Sequence, residues 1–170
     1  MTETRVVLQN ERILLRPWQV TDARWYVEVR DEEIYKWTTE SRTLTIQETE
    51  AAIRQVNASE TITSFAIVDT EEDRLVGNLA LVIEAENQTT GEVMYWLAPS
   101  GRGRDIASQA VTLVCQWAFA KLDLAQVTLQ THVANLRSQR VAERAGFKRI
   151  AATPETNTQP EQIWFVLASL

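Results

Sequence analysis

A mixed α/β (α+β) domain with one central sheet is the fold this 170-residue sequence predicts, and three observations predict it. Three β-rich runs, Ser64–Val68, Leu75–Glu84 and Glu92–Leu97, follow one another with only the acidic turn Asp69–Arg74 and the polar stretch Glu86–Gly91 between them, the texture of an antiparallel meander. Shortly after them, Ile106, Ala110, Leu113, Val114 and Trp117 fall at i, i+4, i+7, i+8 and i+11, which lays one apolar stripe along a helix. No repeat, low-complexity tract or linker interrupts the chain, and 45% hydrophobic with 24% charged residues suits a single core, so residues 1–170 are expected to form one domain.

The other elements follow from local signals. Glu11–Arg16 reads as a strand, with Ile13 and Leu15 alternating against Leu14 and Arg16, and Pro17 ends it by removing a backbone donor. A helix should follow, with Thr21 as N-cap, Asp22 near the positive end of the dipole, and Trp25, Tyr26 and Val29 on its buried side. Thr45 and Glu48 stand at N-cap and N3 spacing, so a second helix starts there and turns Ala52, Ile53 and Val56 inward. Beyond the stripe helix come a strand at Ala125–His132, a helix at Leu136–Ala145 stopped by Gly146, and two strands near Phe147–Ala151 and Gln162–Ala168.

Composition excludes several functions. A net charge of −6 offers a nucleic-acid backbone no general attraction, so no nucleic-acid partner is expected. No apolar run has the length of a membrane span, and Met1–Gln9 lacks the basic start and apolar stretch of a signal peptide; the expectation is a cytoplasmic protein without a membrane partner. The lone Cys115 cannot form an internal disulfide and is expected to pack, and no Cys/His cluster offers the ligands of a metal site.

The segment with most chemical content joins the strand ending at Leu97 to the stripe helix: Ala98-Pro99-Ser100-Gly101-Arg102-Gly103-Arg104-Asp105-Ile106-Ala107. The first N–H groups of a helix have no internal partner and lie at the positive end of the dipole, while glycine lets the backbone approach an anion closely. Arg102 and Arg104 add the charge that an acidic protein must supply locally. Such a turn suits a phosphate, and it is also an ordinary way to leave a strand.

Here the chain resembles the GNAT superfamily of N-acetyltransferases, and within it the RimJ/RimL-like branch, which acetylates protein N-termini and assorted small amines. The resemblance is carried by Arg12-Ile13-Leu14-Leu15-Arg16-Pro17, by Gly91-Glu92-Val93-Met94-Tyr95-Trp96-Leu97, and by Asn135-Leu136-Arg137-Ser138-Gln139-Arg140-Val141-Ala142-Glu143-Arg144-Ala145-Gly146-Phe147, in the family's order over most of the chain. It implies a mostly antiparallel mixed sheet of about seven strands with about four flanking helices. The fourth and fifth strands would splay apart around the pantetheine arm of acetyl-coenzyme A, the acyl donor. Arg102, Gly103, Arg104, Asp105, Ile106 and Ala107 would hold the pyrophosphate. The family pattern there is Arg/Gln-x-x-Gly-x-Gly/Ala, matched at Arg102 and Ala107, with Asp105 where the glycine belongs. Asp105 is expected to cap the helix, accepting from the N–H of Ala107 or Ser108.

The implied reaction is direct attack of a primary amine, on a protein N-terminus or a small molecule, on acetyl-coenzyme A within a ternary complex. Glu92 matches the acidic residue of the branch and would take the amine proton if partial burial raises its pKa; a solvent-exposed strand end is the other reading. A backbone N–H near Trp96, Leu97 or Ala98 would polarise the thioester carbonyl. The superfamily's tyrosine acid has no counterpart, since Ala142 stands in its place. Ser138 would hydrogen-bond the departing sulfur or serve only as a first-turn residue, and Asn135 would cap its helix while its amide touches the pantetheine arm. His132 reads as a strand-end polar residue, and the stretches Asp31–Thr39 and Asn157–Gln162 would border the acceptor, with Tyr35 and Trp37 either lining it or packing as core aromatics under the helix pair. A monomer or homodimer is expected. The alternatives are a catalytically silent GNAT-fold module whose coenzyme A affinity Asp105 weakens, and an enzyme using a longer acyl donor.

Overall fold

The computed structural model describes residues 6–151 and 161–169. Its elements are β1 (Leu8–Gln9), β2 (Ile13–Pro17), α1 (Ala23–Val29), α2 (Glu32–Trp37), α3 (Ile46–Asn57), β3 (Ile62–Asp69), β4 (Arg74–Ile83), β5 (Thr90–Leu97), α4 (Ile106–Lys121), β6 (Gln126–His132), α5 (Leu136–Arg144), β7 (Lys148–Ile150) and β8 (Gln162–Ala168). They build the mixed sheet the resemblance implies, in the order β1-β2-β3-β4-β5-β6-β8-β7. Every neighbouring pair is antiparallel except β5 and β6.

Among the described residues there are eight strands and five α-helices, one more of each than the rounded expectation. The additional strand β1 has two residues and exists through its pairing, Leu8 with Leu15 and Gln9 with Leu14. The additional helix α2 is six residues long, too short for an apolar period to show.

Two start signals fared differently. Thr45 and Glu48 form the expected capping box, Glu48 N–H donating to Thr45 Oγ1 at 3.2 Å and Thr45 N–H to Glu48 Oε2 at 2.8 Å. The inward face of α3 is Ile53 and Thr49 rather than Ala52, which is exposed. Thr21 does not cap α1; it is exposed within the short 3₁₀ turn Val20–Asp22. Asp22 precedes α1 with its buried carboxylate on Arg16, at 2.7 and 3.0 Å, and on the N–H of Gln19 at 2.8 Å. A carboxylate taken out of water needs such partners, and they decide where the chain turns.

Alternation in β3 assigns the two faces. Phe65 and Ile67 join the large core under α4, where Trp117 meets Phe65 edge-on at 6.1 Å, while Ala66 packs with Trp18, Ala23 and Ile53 under α1 and α3. On β5, Val93, Tyr95 and Leu97 belong to the α4 face, and Trp96 stacks against Trp25 of α1 on the other.

The sheet opens where the site lies. β5 pairs with β6 only at Thr90–Gln126, Gly91–Val127 and Glu92–Thr128; beyond Glu92 it holds on to β4 alone, as far as Leu97–Gly77. β6 meanwhile continues along β8 to His132–Gln162. Each arm of the splay keeps one hydrogen-bonded neighbour, so neither is orphaned.

Candidate active site

The backbone of β5 determines what faces the opening. Ala98 N–H donates to Val76 at 2.8 Å and Glu84 N–H to the carbonyl of Thr90 at 3.0 Å, which directs the backbone groups of the even-numbered residues toward β4. Those of Tyr95 and Leu97 therefore face the splay. This corrects the expectation for Trp96: its N–H faces β4, and its side chain packs on the far face against Trp25 and Tyr26. Ala98 is likewise bound to β4, which leaves Leu97 as the donor of that trio directed at the opening.

The turn after β5 is held by its side chains and leaves its backbone free. Arg102 grips Asp31 at the start of α2 with two hydrogen bonds, 2.7 and 2.8 Å, and donates its Nε to the carbonyl of Leu97 at 3.2 Å. Arg104 turns to the β3–β4 hairpin, 2.7 Å from Asp69 and 3.1 Å from Glu72. Asp105 meets Arg144 of α5 at 3.0 Å and accepts from the Ser108 hydroxyl. The two guanidinium groups are thus spent on protein carboxylates. Among the described residues, the first N–H after the turn to close on a backbone carbonyl is that of Gln109, on Asp105, so Gly103 to Ala107 keep theirs available.

Asp105 departs from expectation instructively. It stands at the N-cap position of α4 but accepts no backbone N–H, because its φ of 61° and ψ of 16° put it in the left-handed region. That is a conformation natural to glycine, and aspartate is among the few other residues that tolerate it. The turn thus keeps glycine-type geometry, with the added charge partnered by Arg144. Gly103, at φ 72°, is the second left-handed residue, and a Cβ there would meet nothing within 4 Å. Open space at Gly103 and unpartnered N–H groups in the same turn suit a pyrophosphate.

Glu92 is half-buried on the face opposite α4, beside the exposed Met94. Burial pushes its carboxyl above the usual range and Glu84 adds to the shift. Ser138 approaches from α5. Its N–H donates to the Asn135 side chain at 3.1 Å, the N-cap read from sequence, and its Oγ accepts from Tyr95 Oη at 3.0 Å. Tyr95 was not singled out by sequence. Burial pushes its pKa up to about 12.

A second cluster also escaped the sequence. Glu40 Oε1 accepts from Tyr26 Oη at 2.6 Å and Trp96 Nε1 at 3.1 Å, and its Oε2 from Arg30 at 2.8 Å. This carboxylate ties α1 and β5 to the segment after α2. Trp37 lies against the ring of His132, with centroids 5.5 Å apart, and Tyr35 lies under Arg42. His132 Nδ1 accepts from Ala134 N–H at 3.0 Å, which leaves Nε2 to donate to Glu161 at 3.1 Å. Residues 157–160 of the expected acceptor border lie outside the described residues. Cys115 is buried, its thiol pushed up to about 12, and it packs as expected. A separate cleft of about 340 Å³, lined by Trp18, Gln19, Val20, Arg54, Asn57 and Ala58, includes none of Glu92, Tyr95 and Ser138, and its Trp18 meets Tyr26 of the Glu40 cluster edge-on. Its one charged side chain, Arg54, pairs with Glu50, so it carries no chemistry of its own. Among the described residues no helix is long and apolar enough to cross a membrane.

The chain is similar to proteins named as acetyltransferases. A probable N-acetyltransferase of Bacillus subtilis (strain 168), YjcK, is 30% identical over 159 residues, covering 84% of each chain. An N-acetyltransferase 9-like protein of Caenorhabditis briggsae is 27% identical over 157 residues, covering 86% of this chain and 79% of the relative. The solved structure of RimL, a ribosomal L7/L12 alpha-N-protein acetyltransferase in complex with coenzyme A, superposes with a TM-score of 0.82 at 15% identity, covering 96% and 98% of the two chains. The family described as Acetyltransferase (GNAT) domain matches residues 12–148, and this chain belongs to it: an acyltransferase of the GNAT family, whose acyl donor is acetyl-coenzyme A.

Proposed function

We propose that the chain acetylates a primary amine, on a protein N-terminus or a small molecule, by direct attack with donor and acceptor bound together, as a RimJ/RimL-like enzyme of the cytoplasm. One arrangement carries the reading: where β5 stops pairing with β6, a half-buried carboxyl and a serine hydroxyl flank the opening from opposite faces of the sheet.

Acetyl-coenzyme A supplies an activated acetyl thioester. The chain must take a proton from the amine, hold the thioester carbonyl and accommodate the leaving sulfur. Glu92 accepts the amine proton directly or through a water, and its raised pKa makes it a stronger base than an ordinary carboxylate. The Leu97 N–H faces the opening and polarises the carbonyl. The N–H groups of Gly103 to Ala107 hold the pyrophosphate. Asn135 Oδ1 already accepts from Ser138, so its Nδ2 is the group left for the pantetheine arm. Ser138 Oγ lies on the sulfur side. Because Asp105 adopts the geometry of the glycine it replaces, the ground for expecting a silent module weakens.

RimL's N-terminal protein substrate supports an amine acceptor, and the net charge of −6 favours a cationic one. A thiol-release assay over spermidine, other small amines and N-terminal peptides, with acetyl- and butyryl-coenzyme A as donors, tests the proposal. Release is expected with at least one acceptor and faster with the acetyl donor. Binding of acetyl-coenzyme A without release for any acceptor would favour the silent module.

A further inference from the structure

The Tyr95 and Ser138 side chains meet across 43 positions of sequence, the first on the β5 arm of the splay and the second in the first turn of α5, which follows the β6 arm. Tyr95 lies three residues past the last β5–β6 pair, and its side chain is on the α4 face. The contact therefore spans the mouth of the opening, while Ala142, which the resemblance aligns with the superfamily's tyrosine, is buried and has no polar group.

A hydroxyl has one proton to give and two lone pairs to receive. Ser138 Oγ receives the phenolic proton of Tyr95 at 3.0 Å, and the Ser138 N–H is spent on Asn135 at 3.1 Å. The remaining Oγ proton cannot return to Tyr95, which is already the donor along that line. We propose that Tyr95 is a positioning residue for the transfer reaction: by donating to Ser138 Oγ it fixes the serine rotor so that the serine proton is offered into the opening, to the leaving sulfur. The inference rests on the reading of Ser138 given above.

Its chemical consequence is that the sulfur leaves as a hydrogen-bonded thiolate. The C–N bond forms, the amine proton passes to Glu92, the C–S bond breaks, and its electron pair stays on sulfur. Tyr95 and Ser138 keep their protons. Magnitudes decide this against a relay. Burial holds Tyr95 at about 12, whereas an ordinary alkyl thiol ionises near 8.5, so transfer from tyrosine to thiolate would be uphill by roughly a factor of 10³. A donated hydrogen bond stabilises the thiolate without that loss. The sulfur takes its proton from water after departure.

The experiment needs no acceptor. Coenzyme A itself is bound to the wild type, Tyr95→Phe, Ser138→Ala and the double variant, and the pKa of its thiol is read from the thiolate absorbance difference between samples with and without the coenzyme. Cys115, buried and held at about 12, stays silent between pH 7 and 10. The wild type is expected to lower the thiol pKa about tenfold in acidity. Ser138→Ala should abolish the effect, Tyr95→Phe should remove at least half of it in logarithmic units, and the double variant should match Ser138→Ala. Thermal melts of all four establish that each is folded. An unchanged thiol pKa in Tyr95→Phe alongside a raised one in Ser138→Ala would overturn the role of Tyr95 alone. An additional rise in the double variant beyond Ser138→Ala would also overturn it, because Tyr95 would then act on the sulfur without the serine. No change in Ser138→Ala would remove the Ser138 assignment and this inference with it.

Discussion

The Arg102 guanidinium holds both carboxylate oxygens of Asp31, at 2.7 and 2.8 Å, while the same carboxylate accepts the N–H of Ile34 at 3.1 Å. One aspartate thus caps α2 and anchors the turn that follows β5. The turn binds its own arginines to protein carboxylates, so in the proposed pyrophosphate site affinity rests on backbone amides that mutation cannot readily remove.

Asp31→Ala removes a cap worth about 1 kcal/mol and a partly exposed ion pair worth up to about 1 kcal/mol. The melting temperature is expected to fall by about 2–8 °C. The Arg102 hydrogen bonds hold the Asp31 carboxyl below its usual range. A depressed carboxyl contributes stability above its unfolded pKa and loses it as pH falls through the folded value, so the gap between variant and wild type should close on acidification. Melts from pH 7 down to pH 3 check both; an unchanged melting temperature at pH 7 would show that the pair contributes nothing.

Asp105→Gly keeps the left-handed backbone and removes a charge beside the proposed pyrophosphate site. Acetyl-coenzyme A is expected to bind about two- to fivefold tighter, the effect of roughly 1 kcal/mol or less. Asp105→Ala, with no glycine freedom and no Arg144 partner, should instead be less stable by about 1 kcal/mol. Weaker binding by Asp105→Gly, read by calorimetry, would mean that the Asp105–Arg144 pair organises the turn.

As the proposed base Glu92 would work only when ionised, and burial raises its pKa, so activity should fall on acidification at a higher pH than for an ordinary glutamate. Glu92→Gln is expected to lose about 10²- to 10⁴-fold in turnover and to lose that acidic limb. At neutral pH it should be the more stable protein, because a raised pKa means that folding disfavours the ionised form. Steady-state rates from pH 5 to 9 with an accepted amine decide; retained turnover with the same limb would exclude Glu92 as the base.

Glu40→Ala strips an acceptor from Tyr26 and Trp96 and the charged partner from Arg30, whose side chain is 1% exposed and keeps only the neutral Ser41 carbonyl at 3.0 Å. Leaving a buried guanidinium unpaired costs about 3–5 kcal/mol, so the melting temperature should drop by roughly 6–20 °C. Glu40→Gln, which keeps an acceptor for one or two of these donors, should fall between. A loss below 2 °C in Glu40→Ala would show that water replaces the carboxylate.

Legibility in the sequence followed the reach of each signal. The capping box of α3, the stripe of α4, the β3–β5 meander and the Asn135 cap are all set by residues within a few positions of one another, and all were readable. So was the reaction class, because the family motifs are contiguous. α2 was missed although Asp31, Glu32 and Glu33 make a helix start, since six residues contain no second turn of apolar spacing. Thr21 was chosen over Asp22 because sequence does not show that Asp22 is buried on Arg16. Tyr95–Ser138, Asp105–Arg144 and Glu40–Trp96 join residues 39 to 56 positions apart, and no local rule pairs them. The left-handed backbone at Asp105 was unread for a different reason: an aspartate before a helix is usually a cap, and only the glycine of the family pattern hinted otherwise.

The claim that the turn from Gly103 to Ala107 holds the pyrophosphate is tested by calorimetric titration with acetyl-coenzyme A and, in parallel, with S-acetylpantetheine, which lacks the phosphates together with the adenosine they carry. Acetyl-coenzyme A is expected to bind at least about 100-fold tighter, a difference of roughly 2.7 kcal/mol to which the backbone donors and the helix dipole contribute. Equal affinity for the two ligands, or no heat from acetyl-coenzyme A at millimolar concentration, would contradict it.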